Sequence, residues 1–374
     1  MKKYRLLFMI VLMMILPLSV SAQHDATMKN DEESDELQIK VGTYNIQAGM
    51  DNDGEYNLNS TAEVIRESGA DIIGLNEVDV HWGERSDFAN TVKELADELD
   101  MEYFFAPIYD MDPLNPGEPN RQYGVAVLSK YPIIHAENRE ITRLSTQDPD
   151  PSPKPTPGFL QAQIHVGGEE VWFYATHLSL ELDIREIEVL EMIDIISEHD
   201  HSILTGDMNA NPDAPDLEPL FSTFQDAWEA TNDGPGYTFP ADDPIKRIDD
   251  IFLTPGVQID SAEVIDTLAS DHLPVTADLT LKPGEHPFTA SGMKKLVAYL
   301  RDHDEIMDNK TEHAMKMHLS AISHYEQIEE AEKVIKHTES FKTLLEYQRD
   351  KDMISEDAYN MLEMDADHLI REWE

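Results

Sequence analysis

Six short segments of this chain each place a polar side chain at or just past the end of an apolar, strand-like run. Such side chains lie at the edge of a sheet, where neighbouring strands can bring them together. One segment of this kind would mean little, but six in this order indicate which class of chemistry the chain supports. The segments are Thr43-Tyr44-Asn45-Ile46, Leu75-Asn76-Glu77-Val78, Thr176-His177-Leu178, Gly206-Asp207-Met208-Asn209, Arg247-Ile248-Asp249 and Ser270-Asp271-His272.

Three of these segments carry oxygen ligands that suit a hard divalent cation. Glu77 follows the apolar run 72–75, and a carboxylate in that position suits a cation that prefers oxygen. Asn45 ends the first strand, where its amide can hydrogen-bond the shell of a cation or a phosphate oxygen. Asp271 directly precedes a strand and can also reach a cation. Each residue alone is more commonly a solvated or turn-forming side chain, and only the set predicts a metal site.

The other segments supply groups that can move protons or bind a phosphoryl group. Asp207 and Asn209 are presented on alternate residues after a strand, so that Asp207 could orient or deprotonate a water while Asn209 donates to a phosphoryl oxygen. An ordinary Asx turn is the alternative for this segment. His177 ends a strand and could protonate a leaving oxygen or bind a non-bridging one, although a structural histidine would look the same.

His272 needs a carboxylate to fix its tautomer, because the tautomer decides its role. Asp249 can supply that carboxylate. Asp250 is its neighbour on the same strand, and strand alternation directs the two side chains to opposite faces, so only one of them can point inward.

The pattern of strands and helices predicts two facing mixed β-sheets with helices outside, an α/β (α+β) four-layer sandwich. Strands are expected at 37–46 and 71–75, with a hairpin about Gly167-Gly168. The residues Ser60-Thr61-Ala62-Glu63 form a capping box that predicts a helix start, and a second helix is expected over 86–99. Residues 110–122 and 144–158 are rich in Pro, Asp and Asn and are expected to be long loops. A third helix should direct Ile187, Leu190, Ile193 and Ile196 inward.

The ends of the chain differ in character from this central part. Residues 1–22 have the basic start, short apolar run and small residues of a secretory signal peptide, with an uncleaved anchor as the alternative. An acidic, disordered leader is expected over 23–36, followed by the catalytic domain at 37–282. After a Pro/Gly linker at 283–288 the apolar period becomes helical, which predicts a separate bundle of about four helices at 289–374.

Composition narrows the choice of chemistry. The chain has no Cys, which excludes thiol nucleophiles and Cys-based zinc sites. It has 75 acidic and 28 basic residues and a formal net charge of −47. Such a field repels polyanions, and it favours adaptation to a saline or alkaline medium over a dedicated cationic partner.

In this order, the six motifs resemble those of the endonuclease/exonuclease/phosphatase (DNase I-like) superfamily, from about Leu37 to Leu281. The resemblance implies the four-layer sandwich and hydrolysis of phosphoesters with Mg²⁺ or Mn²⁺. It implies Glu77 as the main metal ligand, adjoined by Asn45 and Asp271. It also implies that Asp207 and Asn209 handle the water and the phosphate, that His177 assists, and that Asp249 orients His272.

The sequence departs from the family pattern at three positions. Asn76 stands where Gln is usual, and Asp250 stands where an aromatic residue is common. Gln47 stands where some nucleases have Asp as a second metal ligand, which favours one dominant metal site, with a second left open. The C-terminal part resembles the helical FIMAH modules of secreted Bacillus-type enzymes.

The sequence therefore predicts a secreted, metal-dependent phosphoester hydrolase, either a phosphodiesterase or a phosphatase, acting as a monomer. An extracellular nuclease and a sphingomyelinase-like phospholipase are the enzymatic alternatives. A catalytically silent surface-binding protein is the alternative of a different class. A cell-surface or envelope partner is expected to bind through the C-terminal module.

Salt is expected to stabilise this protein. The Debye length falls from ~30 Å at 0.01 M salt to ~3 Å at 1 M, so repulsion among the acidic side chains should weaken over that range. The melting temperature should therefore rise with NaCl. A flat or falling curve would instead favour a cationic partner that neutralises the surface.

Overall fold

The computed structural model describes residues 37–199, 201–281 and 289–374. The predicted signal peptide, acidic leader and linker lie outside these ranges. Within them the chain forms two mixed six-stranded sheets, in the orders β11-β12-β1-β2-β4-β3 and β5-β6-β7-β8-β10-β9. The strands are β1 Leu37–Asn45, β2 Ile72–Val80, β3 Glu102–Met111, β4 Arg121–Ser129, β5 Ile133–Arg143, β6 Lys154–Val166, β7 Glu169–His177, β8 Ser202–Asp207, β9 Gln225–Asp226, β10 Asp249–Leu253, β11 Gln258–Val264 and β12 Val275–Leu281.

Helices cover the outer faces of the sheets and follow them in the chain. They are α1 Leu58–Ser68, α2 Thr91–Leu99, α3 Leu182–Ile196, α4 Glu218–Thr223, α5 Ala227–Thr231, α6 Ala290–Asp302, α7 Asn309–Gln327, α8 Ala331–Arg349 and α9 Glu356–Trp373. Two 3₁₀ turns lie at Gln47–Gly49 and Glu84–Ser86. No helix among the described residues is both long and apolar enough to cross a membrane.

The two sheets pack face to face, which confirms the predicted sandwich. One buried cluster takes side chains from both sheets, including Val41 and Val127 from one and Leu160 and Phe173 from the other. The sheets approach closely at Gly74, where a Cβ atom would lie 2.2 Å from Thr205 Oγ1. A side chain at this position would push apart the two sheets that carry the site.

Each sheet contains one parallel pair near its centre. Strands β1 and β2 are parallel in one sheet, and β7 and β8 are parallel in the other. The carboxyl ends of a parallel pair meet at the same edge of a sheet. Antiparallel β12 begins at that edge beside β1, and β10 begins there beside β8. This topology collects the ends of the six sequence segments.

Both predicted helix starts were wrong, because the chain uses other N-caps. Asn57 caps α1 by accepting a hydrogen bond from the Ser60 backbone N–H, so the helix begins before the Ser60 capping box. Asn90 caps α2 in the same way, and the residues that precede it form a 3₁₀ turn and a bend. Asparagine is as good an N-cap as serine, so Asn57 starts α1 before the predicted position and Asn90 starts α2 after it.

The predicted inward face of α3 was also partly wrong. Ile187 and Leu190 are 40% and 50% exposed, whereas Val189 and Met192 are buried. Glu188 is 1% exposed because it pairs with buried Arg143. Burial of this carboxylate turns the face that contains it toward the sheet. The two predicted loops are shorter than expected, since β3 extends to Met111 and β6 begins at Lys154.

Helices α6–α9 enclose a buried cluster of their own, centred on Leu296, Leu319, Phe341 and Leu362. This helical module and the sandwich lie within one compact unit. The boundaries of the module and of the catalytic domain stay predictions.

The module packs on the edge of the sandwich opposite the collected strand ends. Asp365 on α9 contacts His165 Nε2 at 2.8 Å, and both side chains are buried. His368 Nδ1 lies 3.4 Å from Glu169 Oε1, beside Gly168, where a Cβ would approach the histidine to 2.5 Å. Glu169 begins β7 and His177 ends it, so about 26 Å of strand separates this interface from the other edge.

Cutting the chain near Pro283 is expected to leave a folded fragment, residues 23–284, that keeps most of the turnover of a small phosphodiester. The interface lies at the far edge of β7, so its loss should not disturb the strand ends near His177. The fragment should melt at a lower temperature, because its interface side chains become solvated. Turnover per folded molecule would be compared with the full chain. A folded fragment that has lost most turnover would show that the module contributes to the active site.

Candidate active site

The site lies where the ends of the two sheets face each other. Asn45 and Glu77 come from one sheet, and His177 and Asp207 occupy paired positions on β7 and β8 of the other. The sequence predicted that Glu77 follows its strand. In the structure Glu77 lies within β2, at a bulge between Leu75 and Val78. Its φ of 56° is in the left-handed region, which is strained for a non-glycine residue. Bulges and strain of this kind redirect side chains at functional sites.

Asn45 bridges the two sheets at this edge. Its Nδ2 donates to Asp207 Oδ2 at 3.0 Å and to Glu77 Oε1 at 3.3 Å, and it lies 3.5 Å from His272 Nε2. Its Oδ1 accepts from the Gln47 backbone N–H at 3.1 Å. In this arrangement the amide nitrogen of Asn45 bonds two site carboxylates, and its amide oxygen bonds the backbone just after β1.

Asp249 and His272 form a buried hydrogen-bonded pair. Asp249 Oδ2 lies 2.9 Å from His272 Nδ1 and also accepts from Thr238 Oγ1 at 2.6 Å. The pair leaves His272 Nε2 directed toward Asp207 Oδ2, 3.8 Å away. Asp250 faces the other way and lies 3.2 Å from Arg247 Nε. The neighbouring carboxylates therefore have separate surroundings.

The charge of these buried groups is set by their neighbours. Burial alone would lower the pKa of His272, but Asp249, Asp207 and Asp271 together raise it to about 10. Burial, aided by Asp249, raises the pKa of Asp207. Burial and the nearby Glu77 also raise the pKa of Asp271. The raised pKa values favour a protonated His272 beside two carboxyl groups, Asp207 and Asp271, that resist ionisation.

His177 and Asn209 lie beside Asp207 on the second sheet. His177 Nε2 is 3.6 Å from Asp207 Oδ2. The Asn209 backbone N–H donates to Asp207 Oδ1 at 2.8 Å, and its Nδ2 donates to the Leu178 carbonyl at 2.9 Å. Asn209 has a φ of 52°, a second strained residue within the site. One Nδ2 proton of Asn209 remains for a phosphoryl oxygen.

Three residues of the site were missed by sequence reasoning. Tyr123 places its hydroxyl 3.5 Å from His177 Nδ1, Thr238 donates to Asp249, and Asn76 Nδ2 donates to the Thr176 carbonyl of the opposite sheet. Tyr123 and Thr238 carry no motif of their own. Asn76 lies within the Glu77 segment, and its place at a buried strand end was the signal that it makes a polar contact.

The donor set fits a hard divalent cation. Within the ranges that the structure describes, no Lys or Arg nitrogen lies within 4.0 Å of the carboxylates of Glu77, Asp207, Asp249 or Asp271. Asp249 Oδ1 is buried without a hydrogen-bond partner there. Ligand atoms of Asp207, Asp249 and His272 lie within 4.8 Å of one another, a spacing that could hold a metal ion. Oxygen-rich sites of this kind are typical of Mg²⁺ and related ions.

A cleft of about 1020 Å³ opens above these groups. Glu77, Asp207, Asn209, Asp271 and the two histidines line one end of it. Its other walls come from the end of β3, the loop before β6 and the loop after β7. Its volume suits a small molecule or one end of a larger one.

The stability of the cation-free protein should depend on pH through His272. The pKa of this group is about 10 when folded, against ~6.5 when unfolded. Stabilisation by its charged form is complete below pH ~6.5 and is lost as the pH rises through about 10. Unfolding of the wild type and His272→Gln in EDTA should therefore differ by a few kcal/mol more at pH 6 than at pH 10. A difference independent of pH would contradict this charge assignment.

Comparisons with known proteins match both the sandwich and the helical module. A FIMAH domain model matches residues 290–371. The uncharacterized protein YbhP of Escherichia coli is 24% identical over 272 residues, which are 67% of this chain and 99% of that protein. An endonuclease/exonuclease/phosphatase from Beutenbergia cavernae has a TM-score of 0.56 and 23% identity, covering 66% of this chain and 72% of its own. A mannosyl-6-phosphatase of Bacteroides thetaiotaomicron has a TM-score of 0.51 and 17% identity, covering 65% and 100%.

The family model that covers the site matches residues 42–272, more than half of the chain. Its first matched residue lies in β1 and its last is His272, so the match contains all eight predicted site residues. Hydrolases of this family act on phosphoester bonds. The chain belongs to the endonuclease/exonuclease/phosphatase family.

Proposed function

We propose that this protein is a secreted phosphoester hydrolase that depends on a divalent cation, Mg²⁺ or Mn²⁺. The observation that carries the proposal is a cluster of four carboxylates, three of them lining one cleft, with no Lys or Arg within 4.0 Å in the described ranges. The imidazolium of His272 compensates only one of these acids, and the others at this density need a cation or bound protons. The adjoining Asp249–His272 pair supplies the proton chemistry that phosphoester hydrolysis requires.

Glu77 and Asp271 would hold the dominant cation. Both side chains line the cleft. They are close enough to interact, since Glu77 raises the pKa of Asp271. The set formed by Asp207, Asp249 and His272 is the place for a second ion, but its Asp249–His272 hydrogen bond competes with a metal. A bound cation would polarise the phosphoryl group and offset charge on the leaving oxygen.

The side chains of this chain divide the remaining work. Asp207 would orient a water and accept its proton, since its raised pKa makes it a better base than an exposed carboxylate. His272, held by Asp249 and protonated, would donate from Nε2 to a phosphoryl oxygen. Asn209 Nδ2 and His177 would bind the other oxygens or the leaving group.

The cleft favours a small substrate over a nucleic acid. Asp110, Asp112 and Glu181 line its walls. Its two basic residues are occupied, since Lys154 lies 3.4 Å from Asp148 and Arg143 pairs with Glu188. Nucleic-acid sites need free Lys and Arg to neutralise phosphates. A small phosphomonoester or phosphodiester with an uncharged or cationic alcohol part fits these walls best.

The proposal also covers where the protein acts and what it binds. The N-terminal pattern supports export, and the FIMAH module supports attachment to a cell-surface or envelope partner. The module occupies the edge opposite the cleft, so it could bind such a partner without covering the site.

A substrate panel tests the function. The purified protein would be given DNA, RNA, phospholipids, sugar phosphates and bis(p-nitrophenyl) phosphate, each with EDTA, Mg²⁺ or Mn²⁺ at several salt concentrations. We expect cation-dependent turnover of the small esters, with DNA and RNA cleaved poorly. Preferred cleavage of DNA or RNA would contradict the substrate class. Absence of turnover on every substrate would favour the silent binding protein.

A further inference from the structure

The loop that joins β7 to α3, residues 178–181, connects two of the site's phosphate-handling groups. It begins directly after His177, and the Leu178 carbonyl accepts a hydrogen bond from Asn209 Nδ2 at 2.9 Å. The Leu178 backbone N–H donates to the carbonyl of Asp207 at 3.0 Å. A shift of this loop would therefore move His177 and Asn209 together.

Arg143 holds the start of this loop. It is the last residue of β5 and is 6% exposed. Its Nη1 donates to the His177 carbonyl at 2.8 Å, and its Nη2 donates to the Gly158 carbonyl on β6 at 3.0 Å. The guanidinium therefore fixes the end of β7 against its neighbour in the sheet.

Glu188 completes the first anchor from α3. Its Oε1 lies 3.4 Å from Arg143 Nη1, and its Oε2 accepts from the Ser179 backbone N–H at 2.7 Å. Burial lowers the pKa of Arg143 and raises the pKa of Glu188, and the charge of each side chain partly offsets the shift of the other. Both side chains line the catalytic cleft.

A second buried arginine holds the other side of the loop. Arg185 pairs with buried Asp216, and its Nη1 donates to the Ser179 carbonyl at 2.9 Å. The same Nη1 lies 3.4 Å from the Asn209 carbonyl. The loop is thus held from both sides by guanidinium groups whose donors point at backbone carbonyls.

This arrangement is more than the stability of the fold requires. Apolar side chains of similar volume often stabilise a core as well as a buried ion pair does, because the ion pair must be desolvated. Planar guanidinium groups instead fix direction, since their donors are rigidly spaced. Two nitrogens of Arg143, Nη1 and Nη2, donate to backbone carbonyls at His177 and Gly158.

We propose that Arg143, neutralised by Glu188, is a positioning residue that holds His177 in its productive place in the cleft. This inference rests on the proposed phosphoester hydrolysis. Arg143 acts through His177 and does not itself contact the reacting phosphoryl group.

A double-mutant cycle tests the coupling. Arg143→Met, His177→Asn and the double variant would be assayed on bis(p-nitrophenyl) phosphate at saturating Mn²⁺. Arg143→Met should lower kcat by about 100-fold, the effect of a small displacement of a catalytic group, with KM little changed. In the His177→Asn background the same change should cost clearly less than 100-fold, with the remaining loss coming from Asn209, because residues that act through one another are not additive.

Arg139→Met is the matched control. Arg139 lies on the same strand, and its guanidinium donates to Gln161 at 2.8 Å, away from the lining of the cleft. We expect little change in its kcat. Equal losses from Arg143→Met with and without His177 would overturn the proposal, because Arg143 would then act independently of His177.

Hydrogen exchange provides a readout that does not depend on turnover. The Leu178 amide donates to the Asp207 carbonyl and does not contact Arg143 or Glu188. Its exchange should be at least ~10-fold faster in Arg143→Met than in Arg139→Met. Unchanged exchange would overturn the proposal. If the wild type hydrolysed no ester, the proposed function would fail while this measurement still decided the positioning role.

If Arg143→Met misfolds, a second variant, Arg143→Met/Glu188→Met, tests the proposal. It leaves no buried charge unpaired, so the fold should persist. It should show the same loss of kcat and the same faster Leu178 exchange. A normal kcat in this folded variant would overturn the proposal.

Discussion

Replacing Asp207 with asparagine should lower turnover by roughly 10³-fold, the usual contribution of a positioned general base. Asp207 is 2% exposed and lies within 4 Å of Asn45 and both site histidines. Burial and Asp249 raise its pKa, which favours proton transfer from water. Asparagine has nearly the same shape and can still accept from the Asn209 backbone N–H, so the loss should come from chemistry and not from folding.

The measurement is kcat on bis(p-nitrophenyl) phosphate at saturating cation, with the fold checked by circular dichroism. Asp110→Asn is the matched control, because Asp110 lines the same cleft but bonds Asn120 and Gln122. Its turnover should stay close to that of the wild type. A folded Asp207→Asn variant within ~10-fold of the wild type would remove Asp207 as the base.

Glu77→Gln should lose activity mainly by losing the cation. Even residues that only support a metal ligand change metal affinity by 10–100-fold, so loss of the main ligand should cost roughly 100-fold or more. The substitution removes charge and keeps the size of the side chain. The strained backbone at this position therefore carries a side chain of similar shape in the variant.

Calorimetric titration with Mg²⁺ and Mn²⁺ measures this effect directly. Glu181→Gln serves as the control, since Glu181 lines the cleft at the loop after β7 and makes no contact with the four clustered acids in the described structure. It should bind the cation like the wild type. Unchanged affinity in Glu77→Gln would show that another group is the main ligand.

The sequence predicted the sandwich because its strands are apolar runs that end in polar residues. That pattern reports the edge of a sheet, and the two parallel pairs place the ends of β1, β2, β7 and β8 at that edge. Strand β3 was not predicted, because its alternation of apolar and polar residues is weaker. It is mostly half-exposed and lies at a sheet edge. An edge strand pairs on one side alone, so its sequence is less constrained.

The face of α3 could not be predicted, because the helix is apolar on nearly every side. Its orientation is decided by Glu188, whose partner Arg143 is 45 residues away in the sequence. A glutamate in an amphipathic helix is normally assigned to solvent. Only the tertiary structure shows that this one is buried beneath the active site.

The site itself divides in the same way. Residues next to strand ends, such as Asp207 and His272, were predicted because their chemistry and position coincide. Tyr123 and Thr238 were not, because Tyr123 takes its role from His177 of the opposite sheet and Thr238 lies in a loop that carries no motif. The redirected Glu77 was predicted as a ligand, but the bulge that aims it was not.

We propose that this cleft hydrolyses phosphoesters with a divalent cation. The most direct test of this proposal is turnover of bis(p-nitrophenyl) phosphate by the full-length protein, first in EDTA and then across a titration of Mn²⁺. We expect no turnover in EDTA, saturable recovery in the wild type, recovery only at much higher Mn²⁺ in Glu77→Gln, and almost none in Asp207→Asn. Turnover that persists in EDTA, or that is the same in all three proteins, would contradict it.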